Sequence, residues 1–408
     1  MTVLRNIGLV ATCRAEGSQG ELHAISRAAV AWEGETIRWV GPEAELPTEW
    51  RGGEQLDAGG RLAIPGLVDC HTHLAFGGWR ADEFERRLQG ATYLEIARAG
   101  GGIMSTVRAT RAAGDAELRA RAAAALDGMR RLGVTTVECK SGYGLDLETE
   151  LRLLRVYRAL AAEQPTRLVP TFLGAHLVPA EHRDDRAAYL RLLLDEMLPA
   201  VAREGLARCC DVFVEETAFS VAEARRILLA GKAAGLLPKL HADQLTAGGG
   251  AELAAEVGAV SADHLECASD AGIAAMARAG VVAVSLPIAT MYLHQQPMPA
   301  RKFLAAGVPV AVATDFNPGS APSWDLPLAL WLACQLQRMT PAEALKGATS
   351  VAARAVGLAG EAGEVLPGRR ADLAIIDAPD VNHWLYHYRP NACVTTIIGG
   401  RTCWQADS

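Results

Sequence analysis

The stretch Ile64-Pro65-Gly66-Leu67-Val68-Asp69-Cys70-His71-Thr72-His73 decides the fold of this chain. An apolar run leads into Asp69, and two histidines follow two residues apart. On a β-strand, residues i and i+2 face the same way, so imidazoles at this spacing can reach one ion. The stretch therefore reads as half of a metal site at the C-terminal end of a buried strand. His-x-His alone is weak, because a lone strand-end histidine is more often a structural hydrogen-bonding group. The rest of the chain has to supply the partners.

Working outward, apolar β-like runs recur at 63–70, 135–139, 168–172, 210–214, 238–241, 259–264, 281–286 and 308–314. Between them lie segments such as 115–132, 148–161, 185–204 and 221–234, with apolar residues at three- and four-residue spacing. Eight buried strands alternating with helices predict a TIM-like (β/α)8 barrel of the α/β class over residues 62–357. An open doubly wound sheet is the alternative, but no Gly-x-Gly-x-x-Gly follows the first strand. Residues 1–61 hold short β-like runs at 4–12, 28–32 and 36–40. Helical patterns at 326–339 and 341–356 follow the eighth strand. After Gly357, β-like runs return at 371–377, 392–398 and, past the Gly399-Gly400 turn, 401–404. A closed barrel cannot take these strands. Residues 1–61 and 358–408 are therefore expected to form a small β-sandwich domain built from both chain ends.

A net charge of -7 offers no basic field for nucleic acid or an anionic membrane, so the expected partner is a small molecule. The nine cysteines are odd in number and contain no Cys-x-x-Cys pair. That excludes a zinc ribbon or disulfide framework and leaves Cys139, Cys209 and Cys210 as buried thiols. The first residues lack the basic flank and long apolar run of a signal peptide, so a cytoplasmic protein is expected.

With the barrel in place, His71 and His73 end the first strand, His241 the fifth, His264 the sixth and Asp315 the eighth. All face one mouth. Three imidazoles and a carboxylate can hold one divalent ion with a position left for water, whose pKa the ion lowers to around 7. His71, His73, His241 and Asp315 are assigned as ligands, which leaves His264 as a base or a charge-stabilising group. A second ion would need a bridging carboxylate, such as a carboxylated lysine, from the fourth strand. That strand reads Val214-Glu215-Glu216, so one ion is expected. The predicted loops add Arg80 after strand one, Tyr143 after strand two, His176 after strand three, and Asn317, Gly319 and Ser320 after strand eight. An Arg beside a metal site, with a Tyr hydroxyl and a His nearby, suits the anchoring of a substrate carboxylate. Arg86 and Arg87 read instead as solvated charges on a helix.

Across nearly the whole chain these motifs resemble the amidohydrolase superfamily and, more closely, its imidazolonepropionase family. The resemblance rests on PGLVDCHTHLAFGGWRADEFERRLQGATY, GGGI, ECKSGYGL, FLGAHLVP, LHADQL, ADHLE, ATDFNPGS and GEVLPGRRADLAIID. It implies hydrolysis of the cyclic amide of 4-imidazolone-5-propanoate to N-formimidoyl-L-glutamate in histidine degradation. It implies one Zn2+ or Fe3+ per chain at His71, His73, His241 and Asp315, and a homodimer. Substrate or product contacts would come from Arg80, Tyr93, Tyr143, His176, Gln244, Asn317, Gly319 and Ser320, with His264, Asp315 and Gln244 as catalytic residues. Related deaminases carry His-x-x-Glu on strand five, whereas here the residues are His241-Ala242-Asp243-Gln244. A glutamine can hydrogen-bond a ring but cannot shuttle a proton. That departure counts against deamination and leaves proton transfer to His264 and Asp315.

Overall fold

In chain order, strands β1 (Thr2–Val10), β2 (Ile25–Glu33), β3 (Thr36–Pro42), β4 (Glu54–Asp57) and β5 (Leu62–Pro65) come first. The series β6 (Leu67–Asp69), β7 (Val134–Lys140), β8 (Arg167–Ala175) and β9 (Cys209–Val214) follows. It continues with β10 (Leu237–Ala242), β11 (Ser261–His264), β12 (Val282–Ser285) and β13 (Val310–Val312). Strands β14 (Leu373–Ile376), β15 (Cys393–Ile398) and β16 (Arg401–Gln405) close the list. The computed structural model describes residues 1–407 except 92–94, 97, 98 and 388.

Strands β6 to β13 pair in sequence order, all parallel. Parallel strands covered by helices bury both faces, which is why they read as continuous apolar runs: every residue of β7 and of β9 is buried. The seam closes at the C-terminal end. Thr72 bridges Phe316 in parallel, the His73 N–H donates to the Phe316 carbonyl (2.8 Å), and the Asp315 N–H donates to the His71 carbonyl (3.0 Å). Buried Asp69 locks the seam by accepting the Thr314 hydroxyl at 2.6 Å. This is the expected TIM-like barrel. The helical pattern at 185–204 is present as Arg186–Arg191, a π turn over Leu192–Met197, and Leu198–Glu204.

The remaining strands form one mixed sheet in the order β16-β15-β14-β5-β1-β2-β3, with β4 also pairing β1. A sandwich of both chain ends was expected, and the structure makes it from a single hydrogen-bonded sheet that curls over itself. Trp32 of β2 donates its indole N–H to the Gly400 carbonyl in the β15–β16 turn (3.0 Å), and Leu4, Val30, Trp32, Leu373 and Ile397 share one apolar cluster.

The run expected as a single strand at 63–70 is two strands. Up to Pro65 it pairs antiparallel with β14; at Leu67 its N–H turns to the Gly133 carbonyl of the barrel. Gly66 sits at the handover against Thr135. A Cβ there would lie 2.2 Å from Thr135 Oγ1, so only glycine lets the two sheets share this chain. Among the described residues, no helix is long and apolar enough to cross a membrane.

Candidate metal centre

The strand ends bring the five predicted residues together, each at most 3% exposed. Ligand atoms of His71, His73 and Asp315 lie within 4.8 Å of one another, and so do those of His71, His241 and His264. Asp315 Oδ1 is 3.3 Å from His71 Nε2 and 3.5 Å from His73 Nε2. His241 Nε2 faces His73 Nε2 at 3.5 Å.

The orientation of these rings is fixed from behind. His71 Nδ1 donates to Asp263 at 2.7 Å, and His241 Nδ1 donates to Asp211 at 3.1 Å. Each imidazole thereby turns its Nε2 lone pair toward the mouth. Buried His71 Nε2 has no hydrogen-bond partner among the described residues, and buried His73 Nε2 faces His241 Nε2 and the Asp315 carboxylate. Buried acceptors aimed at one another and at a carboxylate are costly in an empty site and satisfied by a cation. The donor set therefore fits a metal ion held by His71, His73, His241 and Asp315. Burial lowers the pKa of His71, His73 and His241, which favours the neutral, ligating form.

A charged layer beneath the rings escaped sequence reasoning. The strand expected at 135–139 runs one residue further, and Lys140 ends β7 fully buried, donating to Asp211 (2.7 Å) and Glu138 (2.8 Å) and lying 3.6 Å from Asp263. Lys239 lies 3.3 Å from Asp263 and donates to Ser261 at 2.7 Å. One ammonium thus holds both carboxylates that aim the ligands. The signal was present as charges inside apolar strand runs, VECK, CCDVFV, LPKLHA and SADH. Glu215, the carboxylate on the fourth strand, points elsewhere. It accepts the Leu245 N–H (2.9 Å) and the Thr246 hydroxyl, shaping the loop after β10 rather than bridging ions.

His264 and Asp315 both adopt left-handed backbone, with φ of +80° and +56°. Such conformations are costly for non-glycine residues and gather at functional sites. Burial alone would lower the pKa of His264. Glu266, 3.8 Å away, and Asp315 outweigh it and hold the ring above its usual value. Burial pushes Asp315 up to about 7, against the opposing pull of His264.

A cavity of about 430 Å³ opens over this centre, lined by Arg80, Tyr143, His176, Gln244, Asn317, Gly319 and Ser320, as expected, and by His264 and Asp315. His176 stacks on His73 (5.1 Å between centroids) and donates from Nδ1 to the Gly142 carbonyl (2.9 Å), which leaves Nε2 as an acceptor. Its pKa is lowered by burial to about 3, so it is neutral. The Tyr143 ring lies 5.5 Å from both His73 and His176. Arg80 lies across Gly319, where a Cβ would fall 0.8 Å from its Nη2. Asn317 closes the turn by donating to the Asp315 carbonyl (2.7 Å) and accepting the N–H groups of Gly319 and Ser320 (2.8 Å each). Tyr93 lies outside the described residues. The expectation for Arg87 is corrected. It is half-buried and lines the cavity, because the helix face that carries Arg80, Glu83 and Arg87 turns over the barrel mouth.

Residues 62–403 match the model of the Amidohydrolase family. An imidazolonepropionase of Myxococcus xanthus is 52% identical over 368 residues, covering 90% of this chain and 87% of that protein. One from Geobacillus kaustophilus is 49% identical over 385 residues, covering 93% and 91%. Among solved structures, a triazine hydrolase superposes with a TM-score of 0.78 at 16% identity, over 99% of this chain and 94% of that one; this is a likeness of fold.

Proposed function

The chain belongs to the amidohydrolase family, among its imidazolonepropionases, and from that premise we propose how its own residues open the substrate ring. It is a metal-dependent hydrolase of carbon–nitrogen bonds that converts 4-imidazolone-5-propanoate to N-formimidoyl-L-glutamate. The observation that carries this function is identity at about half of all positions, along nearly the whole chain, to relatives of that activity.

One zinc or ferric ion on His71, His73, His241 and Asp315 would acidify a water and polarise the ring carbonyl. In this reading His264 orients the water and stabilises negative charge on the former carbonyl oxygen, since it reaches the centre without being needed as a ligand. Water adds to the ring carbonyl carbon as Asp315 takes its proton, the ring amide bond breaks, and Asp315 passes that proton to the departing nitrogen. Tyr143, His176 and Gln244 line the space for the ring, and Arg80 on the Gly319 turn takes the propanoate. Gln244 hydrogen-bonds the ring and moves no proton.

The test is incubation of the metal-loaded protein with 4-imidazolone-5-propanoate, following loss of its ultraviolet absorbance and separating the products by chromatography. N-formimidoyl-L-glutamate without free ammonia is expected. Unchanged 4-imidazolone-5-propanoate, with ammonia released instead from an amino-substituted heterocycle, would make the chain a deaminase.

A further inference from the structure

The helix Ala81–Leu88 has Arg80 at its N-cap and Arg87 in its last turn. Seven residues are two turns, so both side chains leave from one face. Both reach the same turn: Arg80 lies across Gly319, and Arg87 Nη2 is 3.4 Å from the Gly319 carbonyl. Their surroundings differ. Arg80 has a carboxylate 3.8 Å away in Glu83, which is itself buried and fixed by the Gly102 N–H at 2.8 Å. Among the described residues Arg87 has no carboxylate partner; its guanidinium sits over the Tyr292 ring, 4.6 Å from the centroid. Tyr292 in turn stacks on Phe84 (5.5 Å, 22°). An aromatic face holds a guanidinium in place while leaving its N–H edge to hydrogen-bond elsewhere.

The charges along this wall are Arg80, Glu83 and Arg87, a net of one positive charge beside a cavity that takes a monocarboxylate. Glu83 offsets Arg80, and among the described residues Arg87 is left without a counter-ion. We propose that Arg87 determines substrate specificity, forming with Arg80 a two-guanidinium anchor for the carboxylate at the tail of the ring substrate. This inference rests on the imidazolone reading of the same cavity.

The test compares wild type with Arg87→Met and Arg87→Lys as metal-loaded proteins. Binding of imidazole-4-propanoate and of its neutral carboxamide is measured by calorimetry, so that the readout does not depend on turnover. Arg87→Met should weaken binding of the carboxylate about tenfold or more, as expected for losing a charge-assisted contact, and leave the carboxamide unchanged. Arg87→Lys should recover part of the loss, because charge returns without the planar fork. Equal loss for both compounds, or none for either, would overturn the proposal. Failure of the wild type to open the imidazolone ring would overturn the functional reading by a separate measurement.

Discussion

His264 occupies a left-handed backbone position beside Asp315 and within reach of His71 and His241, yet the four assigned ligands suffice without it. A group that orients water and stabilises charge acts mainly in the transition state. His264→Asn should therefore lower kcat by about 100-fold or more and leave KM near the wild-type value. Elemental analysis should find the metal content unchanged. Loss of the ion would make His264 a ligand, and an undiminished kcat would make it a bystander. Lys140 presents the complementary case, since it touches no ligand and acts through Asp211 and Asp263. Lys140→Met should weaken metal binding about 10- to 100-fold in a chelator competition, as for other residues that orient ligands from behind. If its metal affinity were that of the wild type while its melting temperature fell, Lys140 would be a structural charge only.

At the scale of elements, the helix Val221–Ala233 begins with a capping box between Ser220 and Glu223, and Glu223 also pairs with Arg186. The Arg186 guanidinium lowers the Glu223 carboxyl from the ordinary 4.5 to about 2. A depressed carboxylate stabilises the fold above its unfolded pKa and loses that contribution as pH falls through the folded value. Glu223→Gln should destabilise by about 1–2 kcal/mol near neutral pH, the size of a partly exposed pair and a cap together. Urea unfolding at a series of pH values should show the difference shrinking from pH 4.5 down through about 2. A difference independent of pH would show that the charge of Glu223 contributes nothing. Elements of this kind were legible in the sequence because pattern and local chemistry agree. The eight barrel strands stood out as apolar runs, and the ligands as polar residues at their ends. Two features were not legible. The apolar run 63–70 hides a change of partner, since residues buried in either sheet look alike and only the contact of Gly66 with Thr135 marks the break. The position of Arg87 was not legible because helical periodicity cannot say what lies over a polar face, and the burial of Lys140 was not legible because a loop signal such as Ser141-Gly142 cannot say where the strand before it ends.

For the whole molecule, Gly66 is where the barrel and the small sheet share one chain. Gly66→Ala sets a methyl against Thr135, with the nearest atoms at 2.2, 2.3 and 2.8 Å. Overpacking of a buried contact costs about 1–3 kcal/mol. The melting temperature should fall, and Thr135→Ala in the same chain should restore most of it; no recovery would place the strain elsewhere. The handover has a further consequence in time. β5 pairs with β14, and the whole barrel lies between them in sequence. At about 5–20 residues per second, a ribosome needs roughly 15 to 60 s to make the intervening chain. During that interval β1, β2 and β3 can form their antiparallel ladder, but one edge of β5 stays open, and open edges recruit other strands. The barrel must then fold without support from a completed small sheet, and the N-terminal strands are made early and finished last.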